Sequence, residues 1–312
     1  MKYKNDPRLA YLLVNLATLL WASNIALGRA MRELISPAMI VTIRASIAGL
    51  IYLALLRTIY RSQLKPGRAT AWGEWLLYLG MGFTGVFAYP VLMYLALQYT
   101  TATHAALINA AGPLVTMLLA ALLLKERITS RLVVGGIISL AGVGLIISNG
   151  SLSGLIKQGL NHGDAIMLGI IFLWGLYSVW SRVATRQNSS LRVTAISTWL
   201  ALPFLIPTAA VEWKSSPTTF TLPLILMCIY VGIFPTVIAF LAWNEGVRRV
   251  GPNQAMAFYN MLAVYGALFG ILFLGESLSP ELVVGGVLVV GGGLFVAMQG
   301  IWSGARLSLR RN

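Results

Sequence analysis

The sequence predicts an all-α integral membrane protein with ten transmembrane helices, arranged as two inverted repeats of five helices each. Three observations predict this fold. The 312 residues are 58% hydrophobic and only 10% charged, with a mean hydropathy of +0.79, whereas a soluble domain carries about 25% charged residues. Ten apolar runs approach the length of a membrane span, and part of the first half of the chain recurs in the second half.

The ten apolar runs follow one another with few residues between most of them. A helix needs about twenty apolar residues to cross a bilayer, and the first run is too long for a signal-peptide core of roughly 7–15 residues. We therefore expect a retained helix after the charged segment Met1–Arg8. The predicted spans are approximately 9–28, 37–56, 74–98, 104–124, 131–149, 164–182, 192–211, 220–244, 254–274 and 281–302.

The repeat is clearest around the fifth and tenth spans. The residues 132–136, Leu-Val-Val-Gly-Gly, recur as 282–286, and Glu126 recurs as Glu276. A hydrophobic chain that repeats its own half is typical of transporters built from two related bundles. The division is a first five-helix repeat at 1–150, an extracytoplasmic linker at 151–163 and a second five-helix repeat at 164–312.

The distribution of positive charge sets the orientation. Of the 23 lysines and arginines, eighteen lie in loops on one side and four in loops on the other, and Arg44 lies inside a span. Cytoplasmic loops carry the excess of Lys and Arg, so both termini are expected in the cytoplasm. Five spans per half is an odd number, so the second half must enter the membrane from the opposite side. The pairs Trp21/Arg29 and Trp174/Arg182 share a spacing of eight residues, yet their arginines fall on opposite sides, as inversion requires.

Composition excludes several classes of function. The net charge of +14 comes from cations in short loops rather than along one continuous face, so we expect no nucleic-acid partner. There are two histidines, the single cysteine Cys228, and no acid near the middle of a span. We therefore predict no enzyme, no metal site and no cofactor. The lack of an embedded carboxylate also argues against proton antiport, although a histidine relay through His104 stays open.

Short motifs in a consistent order carry a family resemblance. They are Trp21-Ala22-Ser23-Asn24, Ser36-Pro37, Arg44, Pro113, Lys125-Glu126-Arg127-Ile128-Thr129, Gly135-Gly136 and Gly275-Glu276-Ser277-Leu278-Ser279. The sequence resembles the drug/metabolite transporter superfamily, specifically its EamA-like ten-span branch, and is most similar to YddG-type aromatic amino-acid exporters. The resemblance implies a multi-pass protein of the bacterial inner (plasma) membrane with a substrate cavity between the halves. One departure is Ala263, which stands where a proline matching Pro113 is expected, so the two halves are expected to bend differently.

Aromatic and amide side chains in the first and sixth spans form the first candidate site. Trp21 and Asn24 share one helix face, and Trp174 and Tyr177 share the equivalent face of the sixth span. A stripe with polar atoms should not face lipid, so these residues can line a cavity for a flat apolar substrate. Interfacial or helix-packing aromatics are the alternative.

Arg44 is the second candidate. A mid-span arginine costs about 2.5–3.5 kcal/mol to insert and should face protein or water. Arg44 can therefore orient a substrate carboxylate, or it can be a structural arginine that bonds backbone carbonyls near the outer surface.

Asn109 and Pro113 form the third candidate. Pro113 lacks the N–H that would bond the carbonyl of Asn109, so the fourth span offers a free carbonyl and an amide at one depth. A substrate ammonium could be the partner that these groups need in water-free surroundings. A kink satisfied by a neighbouring hydroxyl or a water is the alternative. Tyr259 and Asn260 occupy the equivalent place in the ninth span.

Prolines mark the predicted hinges. Pro90 and Pro235 lie in the corresponding third and eighth spans and, together with Pro113, are predicted to let the halves open alternately. Static kinks are the alternative. Tyr89 and Tyr94 lie near the first kink and are candidate cavity residues.

Glycines in the fifth and tenth spans predict close helix packing. Gly135 and Gly142 lie seven residues apart on one face, and Gly285 and Gly292 repeat that spacing. These spans are expected to hold the halves together or to form a dimer contact, so the protein is expected to be a monomer or a weak dimer.

The sequence favours a membrane transporter that exports small amphiphilic metabolites, aromatic and other neutral amino acids in particular, as a facilitator or exchanger working by alternating access. Broad drug or metabolite efflux and lipid transport are the alternatives. Exchange of phosphate esters would need several cations in the cavity, and Arg44 is the only cation away from the ends of a predicted span. The expected partners are a small-molecule substrate and the lipid bilayer.

Overall fold

The chain folds entirely into helices where its structure is described. The computed structural model describes residues 7–31, 33–58, 72–99, 108–148, 161–274 and 279–309. Its helices are α1 Pro7–Met31, α2 Pro37–Thr58, α3 Trp72–Met81, π1 Gly82–Ala88, α4 Tyr89–Tyr99, α5 Gly112–Leu124, α6 Ser130–Ser148, α7 His162–Ala184, α8 Ser190–Ser215, α9 Leu222–Val231, π2 Gly232–Ile238, α10 Ala239–Val250, α11 Pro252–Met256, α12 Met261–Leu274 and α13 Pro280–Leu309. Within these residues the all-helical class is confirmed.

Six helical segments have the length and apolar composition of membrane spans. They are Pro7–Gly28, Pro37–Thr58, Trp72–Ala96, His162–Ala184, Ser190–Ser215 and Leu222–Val250. They match the first three and the sixth to eighth predicted spans. The other four predicted spans contain shorter apolar helices, among them Gly112–Leu124, Ser130–Ile146 and Pro280–Val296.

The start of the second half is defined by a helix cap. The Asn161 side chain accepts from the Asp164 backbone N–H at 3.0 Å, and the Asp164 carboxylate accepts from the Asn161 N–H at 3.0 Å. This reciprocal capping box satisfies two backbone donors that a helix start leaves free. Because α7 begins at His162, the last two residues of the predicted linker belong to the helix, and 151–160 lie outside the described residues.

The fourth and ninth predicted spans are both interrupted. In the first half, residues 110–111 form a turn before α5, and in the second half, residues 257–260 form turns between α11 and α12. Pro113 stands in the first turn of α5, where its missing N–H costs no helical bond. The second interruption has no proline and is closed by short-range bonds such as Phe258 N–H to the Ala255 carbonyl at 3.2 Å. Both spans therefore break, although only the first carries the proline.

The third and eighth spans each contain a π-helical segment, and the two segments lie 150 residues apart. Each begins with a glycine that lets another span approach. A Cβ on the first glycine of π1 would lie 2.4 Å from the carbonyl oxygen of Ser197, and one on the first glycine of π2 would lie 2.9 Å from the side chain of Ile47. The widened turns therefore sit where α8 and α2 press against them.

The three prolines predicted as hinges occupy different kinds of position. Pro235 lies inside π2, Pro90 lies two residues beyond the end of π1, and Pro113 is the second residue of α5. The π-helical segments occupy equivalent places in the two halves, whereas Pro90 and Pro235 occupy different places relative to them. A hinge role for these residues stays a prediction.

Helix packing relates the two halves. α2 packs against α8, while α1 packs against α10 and α12 in the same way that α7 packs against α4 and α5. The helices α6 and α13 meet along four glycines, Gly135, Gly142, Gly285 and Gly292, which we call the glycine seam. A Cβ on Gly142 would lie 2.6 Å from the Gly285 carbonyl oxygen, and one on Gly292 would lie 2.6 Å from that of Gly135. The predicted packing role of these glycines is confirmed within the chain.

Candidate functional site

A cavity lies between the two halves of the chain. A water-sized probe can occupy about 40 Å³ of it, far below the roughly 300–1,000 Å³ that is usual for small-molecule sites, so in this conformation the cavity has room for only a few waters. Elements α1, α2, π1 and α4 of the first half and α7, α10 and α12 of the second contribute side chains or backbone to its wall. The lining residues are Trp21, Asn24, Ile25, Arg44, Gly85, Tyr89, Pro90, Met93, Trp174, Phe240, Tyr259 and Leu262.

Most of the residues that the sequence singled out converge on this cavity. Six of the ten predicted substrate-binding residues line it: Trp21, Asn24, Arg44, Tyr89, Trp174 and Tyr259. Pro90 lines it too, although it was predicted as a hinge. The other four lie buried behind the wall: Tyr94, Asn109, Tyr177 and Asn260. Sequence reasoning missed the apolar members of the wall, because Ile25, Met93 or Leu262 look like residues of any span.

Indole and phenol rings form one side of the cavity. Trp21 and Trp174 meet edge to face with centroids 5.0 Å apart, and Trp174 stacks on Tyr177 at 5.0 Å. Trp243 packs behind both indoles at 5.3 and 5.4 Å and is fully buried. Such aromatic pairs add about 0.5–1.5 kcal/mol each beyond their buried area, so this wall is rigid.

The indole nitrogens differ in how they are satisfied. Trp21 Nε1 donates to the Pro235 carbonyl at 3.0 Å, so π2 fixes the ring. Within the described residues, Trp174 Nε1 and Trp243 Nε1 are buried and have no hydrogen-bond partner. A buried donor without a partner costs about 1–3 kcal/mol, and Trp174 lines the cavity, where a ligand oxygen can reach it.

Arg44 is 5% exposed and is oriented by the second π-helical segment. Its Nε donates to Thr236 Oγ1 at 2.7 Å, and that hydroxyl donates in turn to the Val231 carbonyl at 2.7 Å. The Tyr94 hydroxyl lies near the guanidinium. In the part of the chain that the structure describes, no carboxylate pairs with Arg44. A guanidinium that lines a cavity with donors to spare is suited to a ligand anion.

Three polar groups meet at the next part of the wall. The hydroxyls of Tyr89 and Tyr259 are 2.9 Å apart, and the Asn109 side chain lies beside both. Asn109 Oδ1 is buried and has no partner among the described residues. Asn260 points elsewhere, because its Nδ2 donates to Ser139 Oγ at 3.2 Å and ties the α12 entry to α6.

A buried polar network closes one side of the aromatic wall. Asn244 Nδ2 donates to the Tyr177 hydroxyl at 2.8 Å and to Thr194 Oγ1 at 2.7 Å, and Ser181 Oγ donates to Asn244 Oδ1 at 2.7 Å. All four side chains are fully buried. Asn244 was missed by the sequence reasoning, although an asparagine in an apolar run was a usable signal.

The first half holds a counterpart of this network with the residue types exchanged. Asn24 corresponds to Tyr177 by the shift of 153 that relates Trp21 to Trp174, and Tyr94 corresponds to Asn244 by the shift of 150 that relates the π-helical segments. The Tyr94 hydroxyl donates to Asn24 Oδ1 at 3.3 Å. This pair is looser than its counterpart, and Asn24 borders the cavity whereas Tyr177 does not.

Acidic groups near the site lie at helix ends or in loops within the described ranges. Glu126, in the loop before α6, accepts from Asn253 Nδ2 at 2.8 Å. Burial raises the pKa of its carboxyl, although Arg182 and Arg186 oppose the effect. Arg182 itself donates to the Val247 carbonyl at 3.3 Å and to the next carbonyl along α10. The bond between Glu126 and Asn253 joins the two halves, whereas the bonds of Arg182 join α7 to α10 within the second half.

Comparison with known proteins decides the family. The EamA-like transporter family matches residues 8–148 and 161–298, which together cover most of the chain in two copies. The chain belongs to the EamA-like transporter family. As a member, it is a multi-pass membrane transporter whose relatives carry transporter names.

Curated relatives of this EamA-like transporter match at low identity. The uncharacterized transporter YyaM of Bacillus subtilis is 26% identical over 79% of this chain and 78% of its own length. An uncharacterized transporter of Archaeoglobus fulgidus is 26% identical over 90% of this chain and 95% of its own. The probable terminal-alkyne amino-acid exporter of Streptantibioticus cattleyicolor is 25% identical over 69% of this chain and 70% of its own.

A solved structure supports the fold. A protein known by its crystal structure superposes with a TM-score of 0.73 at 24% identity, over 93% of this chain and 96% of that one. At this identity the likeness concerns the fold alone.

Proposed function

We propose that this EamA-like transporter exports small amphiphilic metabolites, in particular aromatic and other neutral amino acids, by alternating access and without a membrane-embedded carboxylate. The observation that carries the proposal is a cavity that combines an aromatic wall with Arg44, a buried arginine with no paired carboxylate in the described structure. The wall suits a flat apolar side chain, and the guanidinium suits a carboxylate. The printed name of one relative, an amino-acid exporter, agrees with that chemistry, which is also that of a YddG-type exporter.

Ten membrane helices in two inverted five-helix repeats are part of the proposal. The glycine seam supports inversion. Gly135 meets Gly292 and Gly142 meets Gly285, so the start of α6 lies beside the later part of α13. Equivalent helices of the two halves thus run antiparallel, which an inverted repeat requires. With the excess of basic loop residues inside, both termini lie in the cytoplasm of a bacterial inner membrane.

Two polar pairs, one in each half of the chain, support the proposal of alternating access. In the proposed orientation, Asn24 and Tyr94 lie in the outer half and Tyr177 and Asn244 in the inner half. The inner pair belongs to a fully buried network with bonds of 2.7–2.8 Å, whereas the outer pair is at 3.3 Å and borders the cavity. This difference supports a proposed state in which the site is closed toward the cytoplasm and open toward the outer half. Opening the inner network while the outer pair tightens would present the same site to the cytoplasm.

The proposed driving force is the substrate gradient itself. Coupled carriers commonly store an ion on an embedded carboxylate, and in the described residues the cavity wall contains none. Excess metabolite would leave the cell downhill, or exchange for a related molecule.

Counterflow in proteoliposomes tests this function. Vesicles are loaded with unlabelled phenylalanine, tryptophan, methionine, glutamate or a sugar, and entry of the labelled partner is followed without an ion gradient. We expect exchange of the aromatic and neutral amino acids, with no change when a proton gradient is imposed. Arg44→Gln should abolish it, whereas Arg57→Gln, at the end of α2 away from the cavity, should not. Exchange of no amino acid, with uptake of a dye or movement of a labelled lipid instead, would favour drug or lipid transport.

A further inference from the structure

The two interrupted spans meet beside the cavity, where Tyr259 lines the wall and Asn109 lies buried behind it. Asn109 lies just before the break that precedes α5, and Tyr259 lies in the break that precedes α12. The two positions are equivalent in the repeat, being 150 residues apart. Tyr89, at the start of α4, joins them with its hydroxyl 2.9 Å from that of Tyr259. A helix break leaves backbone and side-chain groups free to face a ligand.

The hydrogen bonds inside this cluster do not use all of its groups. The Asn109 amide nitrogen has two donors and lies beside both tyrosine hydroxyls. One hydroxyl can donate to the other, which leaves one hydroxyl proton and the carbonyl oxygen of the amide. That oxygen, Asn109 Oδ1, belongs to a residue that is 6% exposed and has no partner in the described structure. A buried acceptor left unsatisfied is costly, so a donor supplied by the ligand would repay its burial.

The surroundings favour a cationic donor. The Tyr89 ring lies 5.2 Å from that of Trp174, and the Tyr259 ring lies 6.1 Å from it, so several π faces border the place beside the cluster. Ammonium groups are attracted to such faces within about 6 Å. None of the cavity-lining residues is acidic, so the cluster would bind an ammonium through neutral oxygens and rings alone.

Arg44 lines the same cavity and selects for the carboxylate group of the ligand. Its charge repels a ligand that carries only an ammonium, whereas a ligand that carries only a carboxylate leaves Asn109 Oδ1 unsatisfied. A ligand with both groups satisfies both ends. We propose that Asn109, Tyr89 and Tyr259 form the subsite for the ammonium group of the substrate and that, with Arg44, they select zwitterions over simple amines and simple carboxylates. This inference rests on the proposed function and names the chemical class of its substrate.

Phenylalanine and two analogues with the same phenyl ring test the selection. Counterflow of labelled phenylalanine is measured against 3-phenylpropionate, which lacks the ammonium, and 2-phenylethylamine, which lacks the carboxylate. In the wild type we expect phenylalanine to compete at least tenfold more strongly than either analogue. In Asn109→Leu, the affinity for phenylalanine should fall about tenfold while that for 3-phenylpropionate stays the same. Asn188→Leu, at an asparagine of the loop after α7 that bonds the Ala184 carbonyl away from the cavity, should behave as wild type.

Two further variants keep the test decisive if Asn109→Leu folds poorly. Asn109→Asp adds a negative charge at the subsite and should raise the affinity for 2-phenylethylamine. Tyr259→Phe removes a single hydroxyl and should weaken phenylalanine more than 3-phenylpropionate. Suppose that phenylalanine is transported but the variants lower the affinity for all three ligands equally, or leave the preference for phenylalanine unchanged. The proposed ammonium subsite is then wrong, and the proposed function survives. If the wild type does not transport phenylalanine, the proposed function itself fails.

Discussion

Replacing Gly142 with alanine should destabilise the protein, because the glycine seam has no room for a methyl group. A Cβ at this position would lie 2.6 Å from the Gly285 carbonyl oxygen, 2.8 Å from Leu288 Cβ and 2.9 Å from the Val289 nitrogen. Two of these atoms are backbone atoms of one helix, so no rotamer change relieves the contact. Reaching the 3.4 Å at which ordinary contact begins requires α6 and α13 to separate by about 0.8 Å.

The magnitude is best taken as a difference from Gly144→Ala. Gly144 lies on the same helix, and a Cβ there meets nothing within 4 Å. Both variants gain the same helix propensity, up to about 1 kcal/mol, so this gain cancels in the comparison. What remains is the overpacking, about 1–3 kcal/mol, which corresponds to a difference in Tm of roughly 2–12 °C at the 2–4 °C per kcal/mol usual for larger domains.

The single cysteine provides the assay. Cys228 is buried in the folded protein, so a thiol-reactive fluorophore reports its exposure as the protein is heated in detergent. Gly142→Ala should unfold at a lower temperature than wild type, and Gly144→Ala should not. Equal midpoints for the two variants would show that the backbones of α6 and α13 do not meet as described.

Further predictions concern the polar network, a loop carboxylate and a turn. Asn244→Leu removes three buried hydrogen bonds and should lower stability by more than about 2 kcal/mol. Tyr94→Phe loses one 3.3 Å bond and should cost less than about 1 kcal/mol. Thiol-exposure midpoints compare the two variants. Burial raises the pKa of Glu126, so the stability linked to its protonation is present at low pH and is lost as the pH rises through the raised pKa. Glu126→Gln should therefore be more stable than wild type at alkaline pH, and the advantage should shrink in mildly acidic buffer. Gly251 has a φ of +87° and a ψ of 163°, a conformation almost confined to glycine, so Gly251→Ala should lower the midpoint by the equivalent of about 1–3 kcal/mol. Gly286→Ala should not, because φ there is ordinary and nothing lies within 4 Å.

The parts of the fold that follow from local pattern were predictable. Apolar runs of about twenty residues can only be satisfied as helices in lipid, and six of them are long helices here. Trp21 and Trp174 were found because polar aromatics recur at equivalent places, and both line the cavity. The glycine seam was found for the same reason, since its spacing occurs twice.

Features that depend on a neighbouring helix were not predictable. The π-helical segments have no distinctive composition, and each widens where another span presses on a glycine. The break at 257–260 contains no proline from which it could have been predicted. The network around Asn244 joins residues 50 to 67 positions apart, so its partners are visible only after folding. The role of Arg44 also depends on residues that are distant in sequence. Its side chain bonds Thr236 of the other half, and the sequence did not predict this contact.

The glycine seam can form only late in the synthesis of the chain. α6 ends at Ser148, and its partner α13 begins at Pro280, 132 residues later. At roughly 5–20 residues per second, the ribosome leaves the glycine face of α6 uncovered for about 7–26 s. During that interval, the same face on another nascent copy is the nearest available substitute. Slower synthesis of the second half therefore lengthens the exposure, and crowding of the membrane with nascent chains makes mispairing through this face more frequent.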